Sequence, residues 1–574
     1  MLVACTGGNG SKQNGNVATV ALTAGEAPTY ILPSDPNCTA TNHYDLRALL
    51  YRPLYWYGGV PGKEFERNDE LSLAEPPVYS NGNKQVSVTL KDYKWSDGKP
   101  VTSKDLKFYF DLYSASKKDW GCYSPGSVPD NIKKVQIKDD KTVVLTLDQQ
   151  YAPTWFTVNA LADIAPIPEH VWDKTSADGK VGDYASTPSG AKKVFDFLTA
   201  QAKSPDKYDS DPLWGVVDGP WKLQKFDPRG DIDFVPNKNY SGPDKPKLSK
   251  LVERRFTTDQ AEFDALLSDQ SITTGYIPSQ DSSRKRQVTD QGFTVYQQGN
   301  FGINYITLNY HSNQHGPLFN QLYIRQALQH MIDEPEYVKV AYNGNAEPIN
   351  GPVPIKPANP YASAYEKSVP YPYDPGKAVA LLKSHGWTVK PDGVSTCAKP
   401  GTGADQCGAG ISSGDKLQFT LDYSKDVSSD RSMEAFQSSA AKAGIKITLR
   451  AGTFDHAVSI TNDCKRGSQD CNWDAVGWGG WHFGPYPTGE DLFATGACQC
   501  GYSDPKTDKL VAATKTQGGQ QAMTEYEDYV AKTLPYLWLP RAQGGLNVVR
   551  SDVKGYDRDK QSLFGYNYPQ YWHF

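Results

Sequence analysis

Two short patterns in the sequence have residue types and spacings that are found in catalytic or metal sites. The run 410–414, Gly-Ile-Ser-Ser-Gly, fits the G-x-S-x-G pattern of a nucleophilic serine. Such a serine needs a strand before it and a helix after it, whereas a Gly-rich loop precedes this run and a predicted strand follows it. His311 and His315 have the spacing of two metal ligands, but nearby Asn and Gly residues favour a loop and no third ligand is evident. No phosphate-binding or dinucleotide fingerprint is present, so the sequence favours a protein without a catalytic centre or cofactor.

The cysteines are suited to disulfide formation outside the cytoplasm. There are nine of them: Cys5, Cys38, Cys122, Cys397, Cys407, Cys464, Cys471, Cys498 and Cys500. Two predicted disulfides close short loops, and these are Cys397–Cys407 and Cys464–Cys471. A long-range bridge is predicted between Cys38 and Cys122, whereas a bridge between Cys498 and Cys500 would be strained. A zinc site made by the last four cysteines is the alternative, although structural zinc sites usually space paired cysteines by roughly two to four residues.

The amino terminus resembles a bacterial lipobox. Leu2, Val3 and Ala4 precede Cys5, and a stretch rich in Gly, Ser and Asn follows at 6–16. The pattern predicts a lipid on Cys5 after removal of a signal peptide, whose charged and apolar regions do not precede it here. Residues 6–16 are then expected to form a flexible tether, and the lipid chains to anchor the protein at the cell membrane.

Composition excludes several functional classes. The 574 residues include 60 Lys and Arg against 65 Asp and Glu, a net charge of −5, so the chain lacks the basic excess of a nucleic-acid-binding protein. With 38% hydrophobic and 22% charged residues, the chain is not disordered. No apolar run reaches the roughly 18 residues of a membrane-spanning helix. The 35 Tyr and 13 Trp residues suit binding surfaces and aromatic cores alike.

Hydrophobic periodicity predicts an α/β protein with mixed sheets. Strands are expected in the region 17–33 and at 86–90, 143–147, 417–423 and 445–449, with 143–147 forming a hairpin with 135–137. Helices are expected at 319–333, 374–386 and 428–443. Thr102 and Asp105 have the spacing of a capping box that would start a further helix.

Seven segments follow one another in the order known from one protein family. The most distinctive is Trp95-Ser96-Asp97-Gly98-Lys99-Pro100 within 94–105. The other six are 166–171, 219–221 with 237–240, 324–333, 373–382, 444–447 and 502–508. Together they resemble the family 5 extracellular solute-binding proteins, the oligopeptide-, dipeptide- and nickel-binding group that serves bacterial ABC importers. Most of these motif residues are expected to hold the fold, with Arg325 buried in an ion pair.

The resemblance implies a two-lobed periplasmic-binding-protein-like fold, of class α/β, with an extra subdomain in lobe I. The implied division is 1–16 for the tether, 17–47 and 166–300 for lobe I, 48–165 for its inserted subdomain, 301–542 for lobe II and 543–574 for the return to lobe I. It further implies a monomer that traps ligand as the lobes close and delivers it to a membrane permease. A lipid-anchored protein on the extracellular face of a Gram-positive-type cell is therefore expected, with no nucleic-acid partner.

The best candidate ligand contact is the segment 477–481, Gly-Trp-Gly-Gly-Trp. It is similar to a lobe II strand that pairs with the ligand backbone in peptide binders, which assigns backbone contacts to Gly477 and Gly479. The family's amine-binding Asp is replaced by Trp481, and neither Glu490 nor Asp491 is placed to substitute for it by any sequence signal. Free-amine peptide specificity is therefore in doubt.

Aromatic side chains near this segment favour a competing ligand, because aromatic faces stack on sugar rings. Trp478, Trp481 and His482 are candidate ligand contacts, whereas Trp473 and Phe483 are expected in the core. Further candidate contacts are Asp35, Asn37, Trp120, Tyr123, Asn304 and Tyr305. A peptide is the expected cargo, with an oligosaccharide as the alternative for the same fold. A secreted hydrolase is the alternative from another class, because paired carboxylates have no fixed sequence pattern.

Overall fold

The computed structural model describes residues 16–25, 27–33, 46–121, 123–461, 463–497, 500–560, 562–564 and 567–574. The chain forms two compact units, unit 1 (Met1–Gly299 with Gly544–Phe574) and unit 2 (Asn300–Gln543). Some predicted features lie outside the described residues. These are the lipidation site Cys5 and its tether up to residue 15, the bridge of Cys38 with Cys122, residue Cys498, and the candidate contacts Asp35 and Asn37.

Unit 1 contains a large mixed sheet and a smaller antiparallel one. Its strands are β1 (Val17–Ala21), β2 (Trp56–Tyr57), β3 (Arg67–Asn68), β4 (Val78–Ser80), β5 (Gln85–Thr89), β6 (Ile132–Ile137), β7 (Thr142–Leu147), β8 (Trp221–Phe226), β9 (Ile232–Pro236), β10 (Lys250–Arg254), β11 (Thr274–Ile277), β12 (Phe293–Gln297) and β23 (Leu546–Arg550). The large sheet has the order β12-β23-β11-β1-β10-β9-β8. β1 runs parallel to β10 and β11, whereas the outer pairs are antiparallel. Phe263, Ile277 and Val548 belong to the core on this sheet.

The smaller sheet has the order β4-β5-β7-β6. The predicted hairpin is confirmed, because β6 and β7 pair antiparallel with Val135 opposite Leu145. The helices of unit 1 are α1 (Ala48–Leu50), α2 (Ser103–Ala115), α3 (Pro153–Trp155), α4 (Glu169–Trp172), α5 (Pro188–Gln201), α6 (Asp259–Ser268), α7 (Lys285–Asp290) and α17 (Asp557–Lys560). The predicted capping box is also confirmed: the Thr102 N–H donates to Asp105 Oδ2 at 2.8 Å at the start of α2.

Unit 2 is built around a mixed sheet with the longest buried strand at its centre. Its strands are β13 (Gly302–Leu308), β14 (Ala346–Glu347), β15 (Trp387–Thr388), β16 (Thr396–Cys397), β17 (Gln418–Ser424), β18 (Lys446–Gly452), β19 (Ala475–Gly477), β20 (Trp481–His482), β21 (Tyr536–Leu539) and β22 (Arg541–Ala542). The main sheet has the order β18-β17-β19-β13-β20, and β21 also pairs with β13. All seven residues of β13 are buried, which matches its position between strands on both edges.

The helices of unit 2 are α8 (Gly316–Asn320), α9 (Leu322–Gln329), α10 (Glu334–Glu336), α11 (Ala364–Lys367), α12 (Pro375–Ser384), α13 (Val427–Ala441), α14 (Phe454–Ser459), α15 (Pro505–Thr516) and α16 (Gly519–Thr533). α12 begins where the sequence predicts, because Asp374 accepts a hydrogen bond from the Lys377 N–H at 2.9 Å. Across both units, short 3-10 or π helices lie at Lys117–Asp119, Phe156–Leu161, Tyr184–Ser186, Pro205–Lys207, Pro212–Trp214, Ser279–Arg284, Tyr337–Ala341 and Gln469–Cys471.

The single helix predicted over 319–333 is wrong in its continuity. Gln321 has an extended backbone (φ −85°, ψ 116°), so α8 ends before it and α9 begins after it. α9 ends at Gln329, and Asp333 caps the next helix by accepting from the Glu336 N–H. The predicted apolar stripe is confirmed, since Ile324 and Leu328 are buried. Hydrophobic periodicity does not reveal a helix break at a polar residue between two buried turns.

Arg325 is buried as predicted, but the predicted ion pair is wrong. Its Nε and Nη2 donate to the Thr533 carbonyl at 3.1 and 2.8 Å, and its Nη1 donates to the Phe319 carbonyl at 2.6 Å. Main-chain oxygens at the ends of two helices therefore replace the expected carboxylate.

Both predicted short-loop disulfides are present, Cys397–Cys407 and Cys464–Cys471. The second bond uses two of the four sulfur atoms that the zinc alternative required. Cys500 is disulfide-bonded as well.

The two patterns with catalytic or metal spacing are loops, as the sequence predicts. Ser412 is exposed and lies before β17, and its N–H donates to Asp415 at 2.7 Å. His311 Nδ1 lies 2.6 Å from the Cys464 carbonyl, whereas His315 Nδ1 lies 2.9 Å from Asp474 Oδ2. Within the described residues, no group of three or more His, Cys, Asp or Glu side chains could hold a metal ion. No helix in that part of the chain has the length and apolar character needed to cross a membrane.

Candidate functional site

The predicted contact segment lies beside β13. β19 pairs antiparallel with one edge of β13, from Leu308 opposite Ala475 to Ile306 opposite Gly477. β20 resumes the pairing with Ile303 opposite Trp481. Three residues, 478–480, thus face two residues of β13, and this one extra residue makes a bulge in the segment.

Gly480 is fixed by close approach to β13. A Cβ at this position would lie 1.9 Å from the Ile303 carbonyl oxygen, and its φ of +90° is in the region that favours glycine. Gly477 differs: a Cβ there would make only ordinary contacts at 3.8 Å or more, and its φ is not positive. The fold therefore requires glycine at 480 and does not require it at 477.

The outer edge of this segment is the unpaired edge of the sheet. β17 pairs with β19 up to Tyr423 opposite Gly477 and ends at Ser424. β20 is the terminal strand of the sheet order among the described residues. The outer main-chain edge from Trp478 to Trp481 therefore has no strand partner in the described part of the chain, which is the arrangement that accepts an added strand.

The aromatic residues divide into core and surface. Trp473 and Phe483 are each 4% exposed, which confirms their predicted place in the core. Trp478 is half-buried, with its ring edge-on to Tyr305 at 5.8 Å and to Phe454 at 6.4 Å. Trp481 is half-buried and His482 is exposed, both on the edge strand.

Asn304 and Tyr305 lie opposite the bulge on β13 and are held by the fold. Asn304 Nδ2 donates to the Pro540 carbonyl at 3.0 Å, and its Oδ1 accepts from the Tyr305 N–H at 2.9 Å. Tyr305 is 1% exposed and stacks on Tyr536 with ring centroids 4.4 Å apart. Burial raises the pKa of Tyr305 well above its usual value, so its hydroxyl is neutral.

Arg541 was missed by the sequence analysis. It follows β21 after Pro540, and its Nη1 donates to the carbonyl of Gly479 in the bulge. Desolvation by burial is the largest influence on this guanidinium and lowers its pKa. The sequence signal that could have found it is a basic residue two positions after the apolar run Tyr536–Leu539, which forms a fully buried strand.

The carboxyl groups named as possible substitutes for the missing Asp contact other elements. Glu490 accepts a hydrogen bond from Thr488, whose Oγ1 lies 2.8 Å from Thr514 on α15. Burial raises the pKa of Asp491, and the ammonium of Lys515, also on α15, opposes this rise.

Trp120 and Tyr123 belong to unit 1 and pack locally. The Trp120 ring is edge-on to Tyr113 at 5.0 Å. The Tyr123 hydroxyl donates to Asp130 at 2.6 Å, and the Lys117 ammonium lies 5.4 Å from its ring centroid. Both side chains are half-buried, so they retain surface that a ligand could contact.

Relatives of known sequence share part of the chain. A Brucella ovis protein named as an ABC transporter peptide-binding protein is 30% identical over 312 residues. The match covers 53% of this chain and 50% of that protein, so the chain spans about half the length of the curated relatives that it matches.

Solved structures share the fold over nearly the whole chain. The oligopeptide-binding protein AppA of Bacillus subtilis, solved with a nonapeptide, has a TM-score of 0.67 at 19% identity and covers 98% of this chain and 99% of its own. DppA of Helicobacter pylori, solved with the peptide STSA, has a TM-score of 0.67 at 20% identity and covers 97% and 98%. These likenesses confirm the predicted two-lobed periplasmic-binding-protein fold.

Residues 70–499 match the family described as bacterial extracellular solute-binding proteins, family 5 Middle. This match covers most of the chain and includes the segment beside β13. The resemblance predicted from the seven sequence segments is therefore confirmed, and the chain belongs to the family 5 bacterial extracellular solute-binding proteins.

Proposed function

We propose that this protein is the substrate-binding component of an ABC importer and that its ligand is a peptide. The observation that carries the proposal is the outer main-chain edge from Trp478 to Trp481, which pairs with no strand other than β13 within the described residues. A peptide added at a sheet edge is held by main-chain hydrogen bonds, so many sequences can be accepted. The matching relative named as a peptide-binding protein and the two neighbours solved with peptides support the same ligand class.

Gly477 supports this proposal because its lack of a side chain is not explained by packing. A Cβ there would meet Ile306 at 3.8 Å and Tyr423 at 3.9 Å, which are ordinary contacts. A small residue that the fold does not need leaves room for a second backbone to approach. Gly479 lies two residues later, in the bulge. A Cβ there would meet no atom within 4 Å, and its φ is +109°.

The remaining parts of the proposal follow the family. The protein is a monomer, carries a lipid on Cys5, lies on the extracellular face of the cell membrane and delivers its ligand to a permease. The predicted lobe bounds and the contacts assigned to unit 1 belong to the same proposal, as does the absence of catalysis and of any cofactor. A secreted hydrolase is not carried further, because the family consists of solute-binding proteins.

An oligosaccharide is the second candidate ligand, and the exposure of Trp481 favours it. This indole is half-buried on the edge strand and no ring contact to it is present within the described residues. A sugar ring could stack on it, since the partly exposed face of an aromatic ring is apolar.

The first test is to purify the protein, denature it and analyse the released small molecules by mass spectrometry. Amino-acid mass differences would support the peptide proposal, whereas hexose or pentose spacings would replace it with oligosaccharide uptake. A released peptide should also raise the melting temperature of the ligand-free protein, because a ligand that binds only the folded state stabilises it.

The second test is Gly477→Ala, with Gly484→Ala as its matched control. Gly484 is exposed, its φ is not positive, and a Cβ there would meet nothing within 4 Å. We expect Gly477→Ala to weaken peptide binding by about tenfold or more, since an added methyl blocks close backbone approach, while both variants keep the native melting temperature. Equal affinities of the two variants would remove Gly477 from the site.

A further inference from the structure

Arg541 is a partly buried cation to which the described part of the chain supplies no anion. Its Nε is buried and has no hydrogen-bond partner. Its Nη1 donates to the Gly479 carbonyl, and neither Nε nor Nη2 is joined to any described residue by a hydrogen bond. No carboxylate of the described residues forms an ion pair with this guanidinium, although an unpaired buried charge is costly.

The nearest acidic residue in the strand pairing is engaged elsewhere. Glu347 is the cross-strand neighbour of Arg541 in the β14–β22 pair. Its Oε2 lies 2.9 Å from Lys356 Nζ, and its Oε1 accepts from Gln543 Nε2 at 2.6 Å. Arg541 therefore remains unneutralised although a carboxylate lies on the neighbouring strand.

The electrostatic surroundings of Arg541 favour an external anion. The aromatic neighbours that act on it, Tyr342 and Tyr305, have pKa values raised by burial and are neutral hydroxyls near pH 7. The adjacent segment 477–482 contains no Asp or Glu. A guanidinium matches a carboxylate with two parallel N–H groups, and arginine cannot escape its charge by losing a proton.

We propose that Arg541 binds a carboxylate group of the ligand, so that the protein selects peptides by a carboxylate placed beside the bulge. This inference rests on the proposed function, since it assigns the ligand chemistry of the same edge. The carboxylate can come from the peptide's carboxyl terminus or from an Asp or Glu side chain. In both cases the ligand supplies the charge that unit 2 lacks at this position.

The test uses a random tetrapeptide library in two forms, with free carboxyl termini and with carboxyl-terminal amides. Each form is incubated with the ligand-free protein, and retained peptides are identified by mass spectrometry. Affinities of retained sequences are then measured as matched acid and amide pairs by calorimetry. Charge-assisted hydrogen bonds to arginine predict a preference of about tenfold to a hundredfold for the form that carries the carboxylate.

The outcomes separate this inference from the proposed function. Preference for free acids assigns the carboxyl terminus, and retention of amides enriched in Asp or Glu assigns the side chain. Equal binding of both forms, without acidic enrichment, leaves the peptide proposal standing and overturns the role of Arg541. Failure of the protein to retain either form overturns the proposed function and this inference together.

A variant pair links the preference to Arg541. In Arg541→Gln the difference between acid and amide should fall to about twofold or less. In the control Arg450→Gln, which removes an arginine paired with Asp422 at 2.6 Å, the difference should persist. Loss of affinity for both ligand forms by the same factor in Arg541→Gln would show a structural role and overturn the proposal. If Arg541→Gln does not fold, the affinities of the native protein for the acid and amide forms still show whether the ligand carboxylate is recognised.

Discussion

Two buried or partly buried arginines of unit 2 form no ion pair with a carboxylate of the described residues, but the fold uses them differently. Arg325 places three of its nitrogen atoms on the carbonyls of Phe319 and Thr533, and its guanidinium carbon lies 5.6 Å from the Tyr310 ring centroid. Arg541 makes one such bond, to Gly479, and its buried Nε has none. Only the first position provides an acceptor for every nitrogen of the guanidinium.

This difference distinguishes a buried arginine that stabilises the fold from one that is available to bind a ligand. Hydrogen bonds to charged groups compensate for lost hydration only when they are made. Arg325 is compensated by the folded chain alone and closes the ends of two helices. Arg541 is compensated only in part, because its Nε and Nη2 have no hydrogen-bond partner among the described residues.

The same distinction separates two glycines, and Gly480→Ala should have the largest effect on stability. A Cβ at residue 480 would lie 1.9 Å from the Ile303 carbonyl oxygen and 2.6 Å from the Asn304 Cα, both main-chain atoms. Because main chain cannot rotate away and the φ is positive, we expect a loss of more than about 3 kcal/mol in unfolding free energy. Urea denaturation followed by tryptophan fluorescence measures it.

Gly477→Ala is the matched control for that loss. Its Cβ would make ordinary contacts, so its unfolding midpoint should equal that of the native protein or exceed it slightly. A similar loss in both variants would mean that the whole segment is structural, and the distinction between the two glycines would fail.

Substitution of Arg325 should have the next largest effect on stability, and substitution of Arg541 should have a smaller one. Arg325→Gln leaves the carbonyls of Phe319 and Thr533 with fewer donors in a buried place, so we expect a loss of about 2–3 kcal/mol. Arg541→Gln removes a poorly compensated charge and should change stability by less than about 1 kcal/mol. Thermal unfolding of the two variants beside the native protein checks the contrast, and equal losses would contradict it.

The features that sequence reasoning predicted well are local. The capping box at Thr102 and Asp105 and the cap of α12 at Asp374 involve residues three positions apart, so their spacing carries the full information. The short disulfide loops are similar, because few residues separate their cysteines. The family assignment also came from short segments in a fixed order, and it gave the fold.

The features that it missed depend on contacts between distant parts of the chain. Arg325 meets the Thr533 carbonyl 208 residues away, and nothing near Arg325 in the sequence distinguishes that acceptor from a carboxylate. Arg541 meets Gly479 across 62 residues. The segment 477–481 was found from resemblance, but which of its glycines the fold requires depends on how closely it approaches β13.

A buried carboxyl, unlike a buried arginine, can become neutral by taking up a proton. The resulting change in stability per pH unit is the smallest of the expected effects. Glu334 is 7% exposed, and burial raises its pKa to about 8 although the Ile349 N–H donates to it at 2.7 Å. In the unfolded chain its pKa is near 4.5. Between these two values the folded protein holds a proton that the unfolded chain releases. The contribution of Glu334 to stability is therefore present at low pH and is lost as the pH rises from about 4.5 to about 8.

Glu334→Gln should remove this part of the pH dependence, because a glutamine oxygen can still accept from Ile349 and cannot ionise. We expect the variant to gain about 1 kcal/mol relative to the native protein for each pH unit between pH 5 and pH 8, measured as urea midpoints across that range. Glu336→Gln, on the same helix and exposed, is the control and should keep the native slope. Since Glu366 and Glu527 are also buried with raised pKa values, part of the slope should remain in both variants. An unchanged slope in Glu334→Gln would show that this carboxyl is ionised in the fold, and a buried anion would then need a partner as much as Arg541 does.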